Sequence, residues 1–167
     1  MKVKRFFLEL PFSDKTSYNF DFFKGLRIEL DKSRNYEINK YFYKQIGVDH
    51  YWRDRLVWSD SEWKKYVKNK NLETWIMKKE RELVGFYEAE FHPTSNEVEL
   101  INMGILKDYR GKKLGSKLLS HIIVNSFKKK PKRIWVHTCS LDHKYALQNY
   151  KNRGFILFKE EEISFVA

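Results

Sequence analysis

The chain has 167 residues, 42% hydrophobic and 33% charged, which fits one domain burying roughly 70% of the surface its unfolded chain would expose. One cysteine, Cys139, excludes an internal disulfide framework and a Cys-rich zinc module, and no stretch approaches ~18 uncharged apolar residues, which excludes a membrane-spanning helix. The formal net charge of +11 bears on partners rather than fold; because many lysines are scattered, compositional bias ranks first, an anionic cofactor second and nucleic acid last.

In chain order, Met1-Lys2-Val3-Lys4-Arg5 followed by Phe6-Phe7-Leu8 is basic and then apolar, like a signal peptide. Its apolar stretch is too short and Glu9 interrupts it, so residues 2–10 read as the first strand of a cytoplasmic protein. Residues 25–31 read as a second strand or a loop. Between Asn35 and Ile46 the apolar and aromatic residues fall at helical spacing, and Gly47 ends the pattern. Ser59-Asp60-Ser61-Glu62 supplies N-cap chemistry for a second helix carrying Trp63, Tyr66 and Val67, with Ser59 and Asp60 both able to cap.

Residues 72–79 and 82–91 predict a hairpin around Glu80-Arg81, and a turn at Pro93-Thr94-Ser95-Asn96 leads into a strand from Glu97 to Leu106. A Gly/Lys loop follows. From about Leu114 to Lys128, the positions Leu114, Leu118, Leu119, Ile122, Ile123 and Phe127 form one helical face. The basic run Lys128–Arg133 reads as a helix C-terminus with a proline stop, not as a nucleic-acid motif. A buried-type strand over 134–139, a helix over 142–153 ended by Gly154, and a strand from Phe155 to Phe165 complete the chain. The unit at 97–139 needs parallel pairing with a right-handed crossover, whereas the hairpins need antiparallel pairing. A mixed α/β sheet follows.

The most informative stretch is Tyr109-Arg110-Gly111-Lys112-Lys113-Leu114-Gly115-Ser116, between a strand and a helix. Glycines there let backbone approach a ligand closely, free amides at the helix start point at an anion, and Arg110, Lys112 and Lys113 add positive charge. These residues specify a phosphate or pyrophosphate site; the plainer alternative is a basic turn with a packing glycine. The loop has neither a Walker ending nor a dinucleotide fingerprint.

Arg110-Gly111-Lys112-Lys113-Leu114-Gly115 resembles the Arg/Gln-x-x-Gly-x-Gly/Ala signature of the GNAT superfamily of acyl-CoA-dependent N-acyltransferases. Ala146 through Tyr150 to Gly154-Phe155 resembles its second hallmark, in the right order and with a strand between. The segments 54–60 and 135–143 are similar to a bacterial subgroup whose acceptor is unassigned. Two departures stand out: Lys113 occupies the usual first signature glycine, and His143 replaces a frequent asparagine that touches the cofactor arm.

The resemblance implies a single domain over 1–167, with residues 1–70 shaping the acceptor site and 71–167 forming the acetyl-CoA-binding core. The sheet would be mostly antiparallel, with one splayed parallel pair and helices on both faces. It implies that backbone around Met103, Gly104 and Ile105 binds the pantetheine arm and polarises the thioester. Arg110, Gly111, Lys112, Lys113, Leu114, Gly115 and Ser116 would hold the pyrophosphate, and His143 would border the cofactor.

Glu99 matches the position where related enzymes often carry a glutamate acting as base through water. An amine near pKa ~10.4 must lose a proton before attack, so the role is chemically sensible; Glu97 and Glu99 equally read as a polar strand face pairing with lysines. Tyr150 matches the tyrosine that protonates the departing thiolate, and otherwise packs its helix on the sheet. His50-Tyr51-Trp52 and Trp58 are expected to border the acceptor, where an aromatic wall suits a cationic amine; as ordinary aromatics they would pack the core. Cys139 shares a strand face with His137 but reads as an inert thiol, and the five histidines lack metal-ligand spacing.

Three functions are expected in descending order. The first is an N-acetyltransferase acting on a small amine, an amino-acid derivative or a protein amine. A non-catalytic acyl-CoA-binding module is second, and an RNA-directed acyltransferase third. A homodimer is common in the superfamily.

Overall fold

The computed structural model describes residues 1–15 and 25–164. Seven strands form one sheet: β1 (Lys2–Pro11), β2 (Leu26–Leu30), β3 (Leu72–Lys79), β4 (Glu82–His92), β5 (Glu97–Ile105), β6 (Arg133–Cys139) and β7 (Ile156–Ser164). Four helices accompany them: α1 (Tyr36–Gly47), α2 (Asp60–Lys68), α3 (Leu114–Phe127) and α4 (Ala146–Asn152). Phe165, expected to end the last strand, lies outside the described residues.

The strand order is β2-β3-β4-β5-β6-β1-β7. Every neighbouring pair is antiparallel except β5 with β6. The expected mixed sheet is therefore observed, and β1 is inserted between two C-terminal strands. The segment 25–31, open between strand and loop, is the edge strand β2 against β3.

Helices cover both faces. Phe86 packs with Phe42 and Ile46 of α1, while its neighbour Tyr87 packs in the larger core with Leu118, Leu119 and Ile122 of α3. Successive strand residues point to opposite faces, so α1 and α3 lie on opposite sides of β4.

Local chemistry accounts for the helix starts. Asn35 caps α1 by accepting from the Glu37 amide, and Ser59 closes a capping box with Glu62 on α2. This settles the choice between Ser59 and Asp60. The fourth helix is shorter than the expected 142–153. The Asp142 carboxylate accepts from the His143 amide, and the Ala146 amide donates to the His143 carbonyl, so residues 142–145 form a turn.

Two features of β5 open the sheet. It pairs with β6 only from Glu97 to Leu100, opposite Arg133 to Val136. Its register with β4 shifts between Glu88 and Ala89, leaving Ile101 as the extra residue. Beyond that bulge β5 runs on to Ile105 without β6, which is the expected splay. Gly104 sits there because a Cβ would lie 2.7 Å from Ile46 Cγ2, and its absence lets α1 approach the sheet.

Candidate active site

The opening between β5 and β6 holds two adjoining cavities. One, of about 490 Å³, runs past Met103, Gly104 and Ile105 to the loop before α3. The other, of about 180 Å³, lies against Tyr43, Tyr51, Trp52, His137 and Thr138. Four residues line both: His50, Met103, Asp142 and Tyr150. They mark the junction where a group from one cavity would meet a group from the other.

The start of α3 differs from those of α1 and α2. It has no side-chain cap and no acidic residue in its first turn, whereas the other two have both. Its amides are left for a ligand, and the helix dipole favours an anion there. Gly111 turns the chain at φ +82°, and Lys113 takes the N-cap position in the left-handed region at φ +61°. The lysine departure thus retains the glycine-like backbone at a cost of about 1–2 kcal/mol. A Cβ on Gly115 would meet no protein atom within 4 Å. Packing therefore does not demand glycine at 115; the bare backbone leaves room in the cavity it lines.

Arg110 links this loop to the strand and to the turn after α1. Its Nε donates to the Ile105 carbonyl at 3.0 Å and its Nη1 to Asp49 at 2.9 Å. Its Nη2 is buried without a partner among the described residues. The Arg110 guanidinium holds the Asp49 carboxyl below the usual carboxylate range. Across the loop, Arg153 donates to the Ser116 carbonyl at 3.2 Å and to the Ser116 hydroxyl, tying the end of α4 to the start of α3. An uncapped helix start, an unpartnered guanidinium nitrogen, basic side chains and a side-chain-free Gly115 fit a diphosphate.

Among the expected cofactor residues, Met103, Gly104, Ile105, Arg110, Gly111, Lys113, Gly115, Ser116 and His143 line the larger cavity. Lys112 and Leu114 do not; they line an adjoining cavity beside Leu26 and Val84, which shares Tyr109, Gly111 and Lys113 with the larger one. There Lys112 lies over the Tyr109 ring and Leu114 is buried in the core. Successive side chains through a tight turn diverge, so a run of loop residues cannot all face one ligand.

Tyr150 is buried against Phe155, and burial, with Asp142 adding to it, holds its hydroxyl far above the ordinary tyrosine range. The group therefore stays protonated at neutral pH. Tyr51 and Trp52 line the smaller cavity. Trp58 lines neither; its ring lies 4.8 Å from the Arg55 guanidinium and meets the Trp63 ring edge-on at 4.9 Å.

Glu99 is not brought to the junction. It binds His92 at 2.9 Å and lines a third cavity with Phe7, Trp135 and Phe158, none of which lines the other two. Its neighbours Val98 and Leu100 turn into the core under α3, so alternation sends Glu99 to the opposite face before the bulge. The carboxylate that the fold does bury is Glu88, which sits in hydrogen-bonding reach of Asn39, Arg55, Tyr66 and Asn102. Its signal in the sequence is a lone acid inside the apolar run Val84–Ala89. Asp142 has no such local signal; its place at the junction depends on the turn before α4.

The model of the acetyltransferase (GNAT) family matches residues 34–155, most of the chain. The chain belongs to the GNAT acetyltransferase family. It is an acyltransferase enzyme, and the Arg110–Gly115 loop and Tyr150 lie within the matched span. Among curated proteins, none matches the sequence.

Solved structures share the GNAT fold at low identity. A Sphaerobacter thermophilus GCN5-related N-acetyltransferase superposes with TM-score 0.71 at 11% identity, over 95% of this chain and 49% of that one. An aminoglycoside acetyltransferase from an uncultured soil metagenomic sample, in complex with trehalose, gives 0.64 at 14%, over 81% and 90%. A functionally unknown conserved protein of Staphylococcus epidermidis gives 0.60 at 13%, over 97% of this chain but only 60% of its own length. This chain therefore spans about half to three-fifths of two of these relatives.

Proposed function

We propose that this chain moves an acetyl group from acetyl-CoA to a primary amine by direct attack. The observation that carries this reading is the junction, where Tyr150, its hydroxyl kept protonated by burial, lines both the cavity at the start of α3 and the aromatic one. Arg110, Lys113 and the amides of 111–116 would hold the diphosphate. Backbone of Met103 to Ile105, freed by the splay, would bind the pantetheine arm and polarise the carbonyl. Tyr150 would give its proton to the leaving sulfur.

The acceptor would enter along Tyr43, Tyr51 and Trp52, rings suited to a cation. Asp54 and Asp142 line the same cavity and would attract an ammonium group. The acceptor class is a small amine, an amino-acid derivative or a protein amine. A cytoplasmic setting belongs to the same proposal; no helix among the described residues is long and apolar enough to cross a membrane.

Protein incubated with acetyl-CoA and a panel of amines should release free CoA thiol, and the acetylated amine should appear by mass spectrometry. Cofactor binding without thiol release for any acceptor would replace this reading with a non-catalytic acyl-CoA-binding module.

A further inference from the structure

Resting on that reading, direct attack still needs a group that removes a proton from the ammonium. Glu99 lies in a separate cavity. Glu88 is fully buried and held by four side chains. Asp54 and His137 line only the acceptor cavity. The junction itself offers two titratable groups besides Tyr150, namely His50 and Asp142. Both oxygens of Asp142 are already engaged: Oδ2 accepts from the Thr138 hydroxyl at 2.9 Å and Oδ1 from the His143 amide at 2.8 Å.

His50 is built into place from two sides. Its amide donates to the Gly47 carbonyl at 3.1 Å, and the Trp52 amide reaches the same oxygen. The turn is tight because a Cβ on Gly47 would lie 2.6 Å from Trp52 Cβ. The preceding residue, Asp49, is anchored to Arg110 across the cavity. The His50 ring meets the His143 ring edge-on at 5.6 Å, so the imidazole is clasped between α1 and the turn before α4.

We propose that His50 is the general base of acyl transfer, taking a proton from the acceptor ammonium at the junction while Asp142 supplies the countercharge. The neutral amine then attacks the thioester carbonyl, forming the C–N bond. As the C–S bond breaks, Tyr150 gives its proton to sulfur and regains one from the second proton leaving nitrogen. One proton remains on His50 and passes to solvent, so each turnover releases one proton with the amide and the free thiol.

The charges around the ring agree with this role. Burial lowers the affinity of His50 for a proton; Arg110 and His143 lower it further, while Asp142 and Asp49 act in the opposite direction. The balance leaves the imidazole neutral near pH 7 and ready to accept.

The test compares the unaltered protein with His50→Gln and Asp142→Asn, using the best alkylamine from the panel over about pH 5.5 to 9.5. A second acceptor is one already neutral at pH 7, such as a hydrazide. For His50→Gln, kcat/KM with the alkylamine should fall about 100-fold or more and lose its acidic limb. The loss with the hydrazide should be at least about tenfold smaller, and calorimetry should show acetyl-CoA still bound. An unchanged pH profile in His50→Gln, equal losses with both acceptors, or disappearance of the limb only in Asp142→Asn would each overturn the assignment. Failure of the unaltered protein to release CoA with any amine overturns the acetyltransferase reading itself, and this assignment with it.

Discussion

Arg55 and Glu88 form an ion pair at 3.1 Å in which the carboxylate is fully buried and the guanidinium nearly so. The pair joins the loop after α1 to β4. The Tyr66 hydroxyl, the Asn39 amide and the Asn102 amide complete the carboxylate's partners. The rings of Tyr43, Trp58, Trp63 and Tyr66 surround the guanidinium. Because Arg55 and Asn102 also line the smaller cavity, the pair positions its wall.

Removing one partner strands a buried charge. Arg55→Met and Glu88→Leu should therefore each cost about 3–5 kcal/mol in urea denaturation. The double variant Arg55→Met/Glu88→Leu should recover much of that loss, since the desolvation cost disappears with the charges. A double-variant loss equal to the sum of the single losses would refute the coupling.

Tyr150→Phe keeps the ring against Phe155 and deletes the donor. It should lower kcat about 100-fold or more, with acetyl-CoA affinity by calorimetry changed little. A loss confined to KM would place Tyr150 in binding instead.

Gly115→Ala separates folding from binding. The new methyl meets no protein atom, and alanine is favoured in a helix by about 0.8–1 kcal/mol. The melting temperature without ligand should rise while acetyl-CoA affinity falls. A variant that binds as tightly as before would remove Gly115 from the diphosphate site.

Acid stability should report His121. Burial lowers its pKa from 6.5 to about 4; its ring lies 4.7 Å from Trp75, and Nδ1 shares a 2.9 Å hydrogen bond with the Tyr87 hydroxyl. The folded protein keeps His121 neutral where the unfolded chain protonates it. Its contribution is thus fully present above pH 6.5 and declines as pH falls towards 4. Allowing for partial exposure, the loss should be about 1–2 kcal/mol. Urea midpoints across that window should show it, and His121→Phe should flatten the slope by that amount.

What short-range physics controls was readable from the residues alone. Helical spacing placed α1 and α3, N-cap chemistry placed α2, Gly47 and Gly154 marked helix ends, and strand patterning implied the mixed sheet. The loop at 110–116 was legible as the start of α3, and the anion cradle proposed there rests on glycines, cations and a helix start within a few residues of each other. The tertiary structure decided what depends on where side chains converge. A one-residue bulge at Ile101 sets which strand residues face the cleft, alternation carries Glu99 away from it, and Arg55 gathers Trp58. His50 and Asp142, 92 positions apart by number, become neighbours of Tyr150 only when β5 and β6 part. Local patterns encode faces and ends of elements; a junction between distant segments is encoded in packing, which no single window of sequence contains.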